Sequence, residues 1–169
     1  QCFNLNEIKK YATEAFNLSK KENYLKGEGE ALINLGVYYS TSNQIDSATK
    51  LLHLGIEKLN RSGDSLSILY GNAELGLFYA KNSKLKESCW VLDNVCQNTL
   101  TKSNPLLEAF VNNAWGVYYD RSGDIKNAEP FYDRASNTYI QKGLFNRSID
   151  CLIKKAELLF KIKSFLPCF

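Results

Sequence analysis

Few side chains in this sequence stand where they could make or break bonds. There is a single histidine, His53, set among Leu51, Leu52 and Leu54, and there are five cysteines, at positions 2, 89, 96, 151 and 168. A cysteine nucleophile needs a basic partner, and a lone histidine inside an apolar helical stretch reads as a surface or half-buried structural residue. Zinc sites use closely spaced Cys and His ligands, and no CxxC pair occurs here. Cys89 and Cys96 fall on one face of a helix, but a rise of about 1.5 Å per residue separates their α-carbons by about 10 Å, beyond the limit of about 7 Å for a disulfide. The thiols are therefore expected to be free and buried. Glu28 and Glu30 fall in a loop and the first turn of a helix, where acids suit the helix dipole without doing acid–base work. Phosphate-cradling patterns such as GxxxxGK and GxGxxG are missing. The expectation is a non-enzymatic protein with no catalytic residue, no cofactor and no metal.

Bulk properties narrow the remaining roles. The chain has 169 residues, is 44% hydrophobic and 23% charged, and carries a net charge of +3, so a packed interior is expected and wholesale disorder is not. The charge is too mild and too dispersed for direct nucleic-acid binding, which uses a concentrated basic stripe. Pairs such as Lys9-Lys10, Lys20-Lys21 and Lys154-Lys155 have acids close by and read as solvated helix faces. No apolar run approaches the roughly 18–20 residues that span a bilayer, so this segment is expected to contact no membrane.

The elements that must position any site are announced by a period. "LGVYY" at 35–39 returns as "LGLFY" at 75–79 and "WGVYY" at 115–119. Gly36, Gly76 and Gly116 stand in register, followed by Tyr39, Tyr79 and Tyr119, then by Ala48, Ser88 and Ala128, then by Gly55, Val95 and Ala135; counting back from Gly55 reaches Ala15. Turns lie at "TSNQI" (41–45), "KNSKL" (81–85) and "RSGDI" (121–125), with Asn43, Ser83 or Gly123 in the middle. Asparagine and glycine tolerate the left-handed conformation that ends a helix. The flanking apolar residues keep helical spacing over runs of about 15–18 residues. Pro105 suits a first helical turn, whereas Pro130 lies a turn further in and leads us to expect a late start or a kink. The unit is a helical hairpin of forty residues, and stacking copies of it buries seams that one copy cannot bury. Small residues at 36, 76 and 116 and at 48, 88 and 128 let the two helices approach closely.

These residues resemble the tetratricopeptide repeat. Its pattern is seen as Trp115-Gly116, Tyr119, Ala128, Tyr132 and Ala135, as Leu35-Gly36, Tyr39, Ala48, Leu52 and Gly55, and as Leu75-Gly76, Tyr79, Ser88, Leu92 and Val95. The usual repeat has 34 residues, so this one has longer helices, and the early tryptophan position holds Leu32, Asn72 and Asn112. The longer form is similar to arrays in bacterial signalling proteins such as sensor histidine kinases and transcription regulators, and also to eukaryotic adaptors. The resemblance implies an all-α fold, an α-α superhelix of antiparallel hairpins forming a single array over 1–169: a half repeat 1–24, repeats 25–64, 65–104 and 105–144, and a half repeat 145–169. In that phase 161–165 ("KIKSF") matches a turn. A hairpin cut at each end, and a chain without methionine, lead to the expectation of a fragment of a longer array.

By the same resemblance the first helix of each hairpin lines a concave groove. Ile33 and Val37, then Tyr70, Ala73, Leu77 and Lys81, then Phe110, Asn113, Val117 and Arg121 are its expected binding residues, and Glu30, Ser40 and Thr41 fall on the same row. Gly36, Tyr39, Ala48, Gly76, Tyr79, Gly116, Tyr119 and Ala128 are the expected packing residues. Chaperone-binding members clamp a carboxylate with lysine and asparagine, but Ile33, Val37, Ala73 and Leu77 occupy those places here. The lining suits a protein or peptide partner, an amphipathic helix among them. Packing against a neighbouring helix of the same array is the plainer role for the same side chains. The expected function is the sensory or regulatory part of a bacterial signalling or transcription-regulating protein, with a plain scaffold or a self-association module, such as a homodimer capped by its terminal helices, as alternatives. Free cysteines favour a cytoplasmic location, with an extracytoplasmic sensor region as the other option.

Overall fold

Helices here end where one residue turns left-handed. Asn23, Asn43 and Ser83 have φ of 54°, 58° and 57°, and Gly63, Gly123 and Gly143 have 73°, 81° and 71°, so the positions fall twenty residues apart with a gap at 103. After five of the six, the next backbone N–H donates to a carbonyl in the last turn of the helix. Gln44 N–H reaches Tyr39 O at 2.8 Å, Lys84 N–H reaches Tyr79 O at 2.9 Å and Asp124 N–H reaches Tyr119 O at 2.9 Å, with matching bonds from Tyr24 to Ser19 and from Leu144 to Tyr139. This is the Schellman stop. The last aromatic of each recurring "YY" or "FY" therefore supplies the carbonyl that closes the first helix.

The computed structural model describes residues 5–165, and for 162–165 the backbone alone. Among these residues there are nine helices and no strand: α1 (Leu5–Lys21), α2 (Leu25–Thr41), α3 (Ile45–Ser62), α4 (Ser65–Lys81), α5 (Leu85–Gln97), α6 (Thr99–Ser103), α7 (Pro105–Ser122), α8 (Ile125–Gln141) and α9 (Phe145–Phe165). Consecutive helices pack on one another, α1 on α2, α2 on α3, α5 on α7, α7 on α8 and α8 on α9. The all-α helical-repeat fold expected from the period is observed. The chain divides into two compact units, Gln1–Phe78 and Tyr79–Phe169, with the division inside α4.

In the first unit α2 and α3 approach at their glycines. A Cβ on Gly36 would lie 2.7 Å from Leu52 Cγ, one on Gly29 would lie 2.6 Å from Leu59 Cγ, and one on Gly55 would meet Gly29 O at 3.0 Å. Leu52 and Leu59 are fully buried, which stabilises by about 1.5–3 kcal/mol for each side chain. Lys58 closes the same pair with an ion pair of 2.7 Å to the buried Glu28. The second unit repeats the device with a larger knob: a Cβ on Gly116 would lie 2.6 Å from the ring of Tyr132, itself fully buried. Gly76 is buried too. Ala48, Ser88 and Ala128 are all fully buried, while Tyr39, Tyr79 and Tyr119 are half-buried. Around Gly116 the rings of Trp115, Tyr118, Tyr119 and Phe131 pack with centroids 5.1–6.2 Å apart. Lys155 of α9 is held by Glu129 and Asp133 of α8 at 3.0 and 2.8 Å.

Several expectations are corrected. The segment 161–165 is not a turn: α9 stays helical to Phe165, because position 163 carries lysine, with neither glycine nor asparagine to turn left-handed. Position 103 carries serine for the same vacancy, and there the second helix of the hairpin stops early. α5 ends at Gln97, the Asn98 side chain caps α6 by accepting from Leu100 N–H at 2.9 Å, and Thr101 Oγ1 donates to Val95 O at 2.7 Å. Asn104 then caps α7 by accepting from Leu107 N–H at 3.0 Å, with Pro105 in the first turn as expected. Helix α8 does not start late: it begins at Ile125 with Pro130 inside it. Ala15 is exposed, since the side of α1 on which Gly55 of α3 meets α2 faces no helix among the described residues. Of the thiols, Cys151 is buried, Cys89 is half-buried and Cys96 is exposed; Cys2 and Cys168 lie outside the described residues.

Ser83 holds the left-handed conformation with a Cβ, which costs about 1–2 kcal/mol, partly offset because glycine loses about 0.5–1 kcal/mol more entropy. Ser83→Gly is expected to stabilise the protein by about 1 kcal/mol, raising the melting temperature by about 2–4 °C; calorimetry showing a fall would mean that the serine side chain contributes more than its conformation costs.

Candidate functional site

The expected groove residues separate by burial. Ala73, Leu77, Phe110 and Val117 are buried, so they serve the interior rather than a partner: a seam that packs against the next helix is no longer available at the surface. Ile33 is mostly buried too but lines the cleft described next. Val37, Tyr70 and Asn113 are half-buried, and Lys81 and Arg121 are exposed. In the second unit Asn113 is already engaged, since its Oδ1 accepts from Lys154 Nζ at 2.9 Å and from Cys151 Sγ at 3.6 Å. Burial holds the Lys154 ammonium below its ordinary pKa and pushes the Cys151 thiol up. Lys161 Nζ donates to Asp120 Oδ1 at 2.7 Å.

In the first unit the structure opens a cleft of about 250 Å³ between α2 and α4, with α3 as its floor. Glu30, Ile33 and Tyr70, three of the residues assigned to the concave face, line it together with Asn34 and Glu74. Glu30 and Asn34 lie one turn apart on α2, and Tyr70 and Glu74 one turn apart on α4, so each helix presents one ridge to the opening. The floor is Leu59, with Gly71 packed beside it. A Cβ on Gly71 would meet Leu59 Cδ1 at 2.9 Å. The matching positions of the other hairpins hold Ala31, Val111 and Cys151, so this glycine is a local feature and not part of the repeat.

One end of the cleft is organised by hydrogen bonds. Ser67, only 7% exposed, donates from Oγ to Glu30 Oε1 at 2.6 Å, and its N–H donates to Asp64 Oδ1 at 2.8 Å, capping α4. Asp64 Oδ2 accepts from Lys26 Nζ at 3.0 Å, whereas Lys26 stands 3.9 Å from Glu30. The Ser67 amide first, and Lys26 next, lower the Asp64 pKa to about 2, and the Asp64 bond raises that of Lys26. Lys26 thus bonds Asp64 and stands at the longer ion-pair distance from Glu30, which is held by the neutral Ser67 hydroxyl.

His53 is exposed on α3, and among the described residues no group of three or more His, Cys, Asp or Glu could hold a metal ion. No helix among them is long and apolar enough to cross a membrane. The cleft has an apolar floor, one aromatic wall and carboxylates on both ridges. Sequence reasoning missed Asn34, Leu59, Ser67, Gly71 and Glu74. The available signal was register: 34 and 74 lie one helical turn beyond 30 and 70, and glycine at 71 departs from its counterparts. Comparison with protein-family models, with curated proteins and with solved structures finds no match to this chain.

The Asp64 carboxyl gives a pH test. Its folded pKa of about 2 lies below the ordinary 3.8, so its contribution is present above the ordinary value and lost as pH falls through the folded one. Asp64→Asn is expected to melt below the parent at neutral pH, with the gap closing as pH falls to about 2; a gap independent of pH, followed by circular dichroism, would exclude a role for the charge.

Proposed function

We propose that this chain is a non-enzymatic tetratricopeptide-type domain that binds a protein or peptide segment on the surface formed by the first helices of its hairpins, serving as the sensory or regulatory part of a cytoplasmic bacterial signalling or transcription-regulating protein. One observation carries the binding role: the cleft between α2 and α4 gathers Glu30, Ile33 and Tyr70 around an opening that the packing of α2, α3 and α4 leaves unfilled. Helical grooves of this kind take extended or helical peptides by seating side chains in pockets between ridges. The test is a selection of random displayed peptides on the protein, followed by anisotropy measurements. Asn34→Trp, which fills the cleft mouth from an exposed position without touching the core, is expected to weaken the selected peptides at least tenfold with helicity retained. Unchanged affinity would move binding away from the cleft.

A second reading, self-association, is favoured by α9. Phe145, Ile149, Leu152, Ile153, Leu159 and Phe160 are 38–74% exposed along that helix, a wide apolar surface for a single element. If α9 self-associates, Phe160→Glu is expected to shift the protein from dimer to monomer in sedimentation experiments; a monomeric parent would dismiss this reading.

A further inference from the structure

We infer that the cleft between α2 and α4 receives an arginine or lysine side chain of the partner peptide. This rests on the peptide-binding reading above and adds the chemistry of the anchoring residue. The two ridges carry Glu30 and Glu74, and neither acid is a requirement of the repeat. The positions matching 30 hold Tyr70, Phe110 and Asp150, and those matching 74 hold Asn34, Ala114 and Lys154. Carboxylates from two helices therefore converge on one opening by local choice. The Ser67 hydroxyl, itself buried, fixes Glu30 at 2.6 Å, so the carboxylate is oriented before any ligand arrives, which reduces the ordering cost of binding. Lys26, the cation at the rim, is drawn to Asp64 at 3.0 Å and stands 3.9 Å from Glu30.

Size and lining choose among cations. A volume of about 250 Å³ is below the range of about 300–1,000 Å³ typical of drug-sized ligand sites, and suits one long side chain. Ile33 and Leu59 provide an apolar floor for a methylene stem, and long basic residues lay such stems on apolar surface while keeping the charged head among polar groups. Tyr70 gives an aromatic wall, which attracts a cation, and two carboxylates give the charge-assisted hydrogen bonds that arginine makes best. A bare divalent ion is a poorer fit, because it takes six or more oxygen ligands and no cluster of three or more metal-binding side chains occurs among the described residues. Gly71 lets α4 pack closely on Leu59 beneath the cleft, since a Cβ there would meet Leu59 Cδ1 at 2.9 Å, whereas alanine, valine or cysteine stands in the other hairpins.

Peptide display on the parent protein and on the Glu30→Gln/Glu74→Gln variant tests this. Peptides selected on the parent are expected to share a basic residue beside apolar ones, and replacing that residue by glutamine is expected to cost at least tenfold in affinity. In the double variant the same replacement is expected to cost less than twofold, the coupling expected of a direct contact, and parent affinity should fall as salt rises. Single Glu→Gln variants serve if the double variant loses helicity. Selected peptides with no basic preference, or an equal penalty in both proteins, would overturn the assignment. If those peptides are still lost with Asn34→Trp, the groove reading stands and the cationic anchor falls; if none responds to Asn34→Trp, both fall.

Discussion

Two helices can lie against each other closely only where one of them gives up its side chain, and that constraint organises this protein. Gly36 faces Leu52 and Gly116 faces Tyr132, each pair sixteen residues apart in sequence and each with a clearance that a Cβ would abolish. The knob differs, leucine in one hairpin and tyrosine in the other, but the hole is glycine both times. Overpacking such a contact forces rotamer and backbone shifts costing about 1–3 kcal/mol. The aromatic pairs that follow these glycines belong to the same arrangement: the last one supplies the carbonyl that stops the helix, and its ring flanks the approach.

The turn rule and the packing rule reinforce each other. A left-handed residue every twenty positions keeps helices at seventeen or eighteen residues, long enough for two glycine contacts along the α2–α3 interface, Gly29 with Leu59 and Gly36 with Leu52. At Ser103 and Lys163, which unlike Ser83 do not turn left-handed, the regularity fails in opposite ways. At 103 the chain inserts an extra short helix with its own asparagine and threonine caps, and at 163 the helix runs on. Where no residue turns left-handed, stopping a helix needs side-chain caps supplied from nearby, and "QNTLTKSNP" supplies them whereas "KIKSF" does not.

The candidate site arises from departures from the repeat. Apolar residues placed on the concave face by register proved mostly interior, because the same face that could greet a partner is also the face that packs the next helix. What stays open is the place where the pattern lapses. Gly71 replaces a larger residue, Ser67 turns a carboxylate toward the opening, and Glu30 and Glu74 stand on adjoining ridges. Cys151, Lys154 and Asn113 in the second unit show the contrary case, in which polar side chains of the corresponding surface satisfy one another.

The sequence by itself determined the helical hairpins, their forty-residue register, the small residues at 36, 48, 116 and 128 and the middle of each turn, since these depend on local backbone preference and on a periodicity visible within one chain. The tetratricopeptide resemblance added the expectation that Glu30, Ile33 and Tyr70 share one surface. Only the tertiary structure decided which of the first-helix residues remain accessible, that α2 and α4 leave a cleft over Leu59, and that Lys26 lies nearer to Asp64 than to Glu30. Those outcomes depend on distances of a few tenths of an ångström between helices and on competition among nearby charges, and neither is encoded in spacing along the chain.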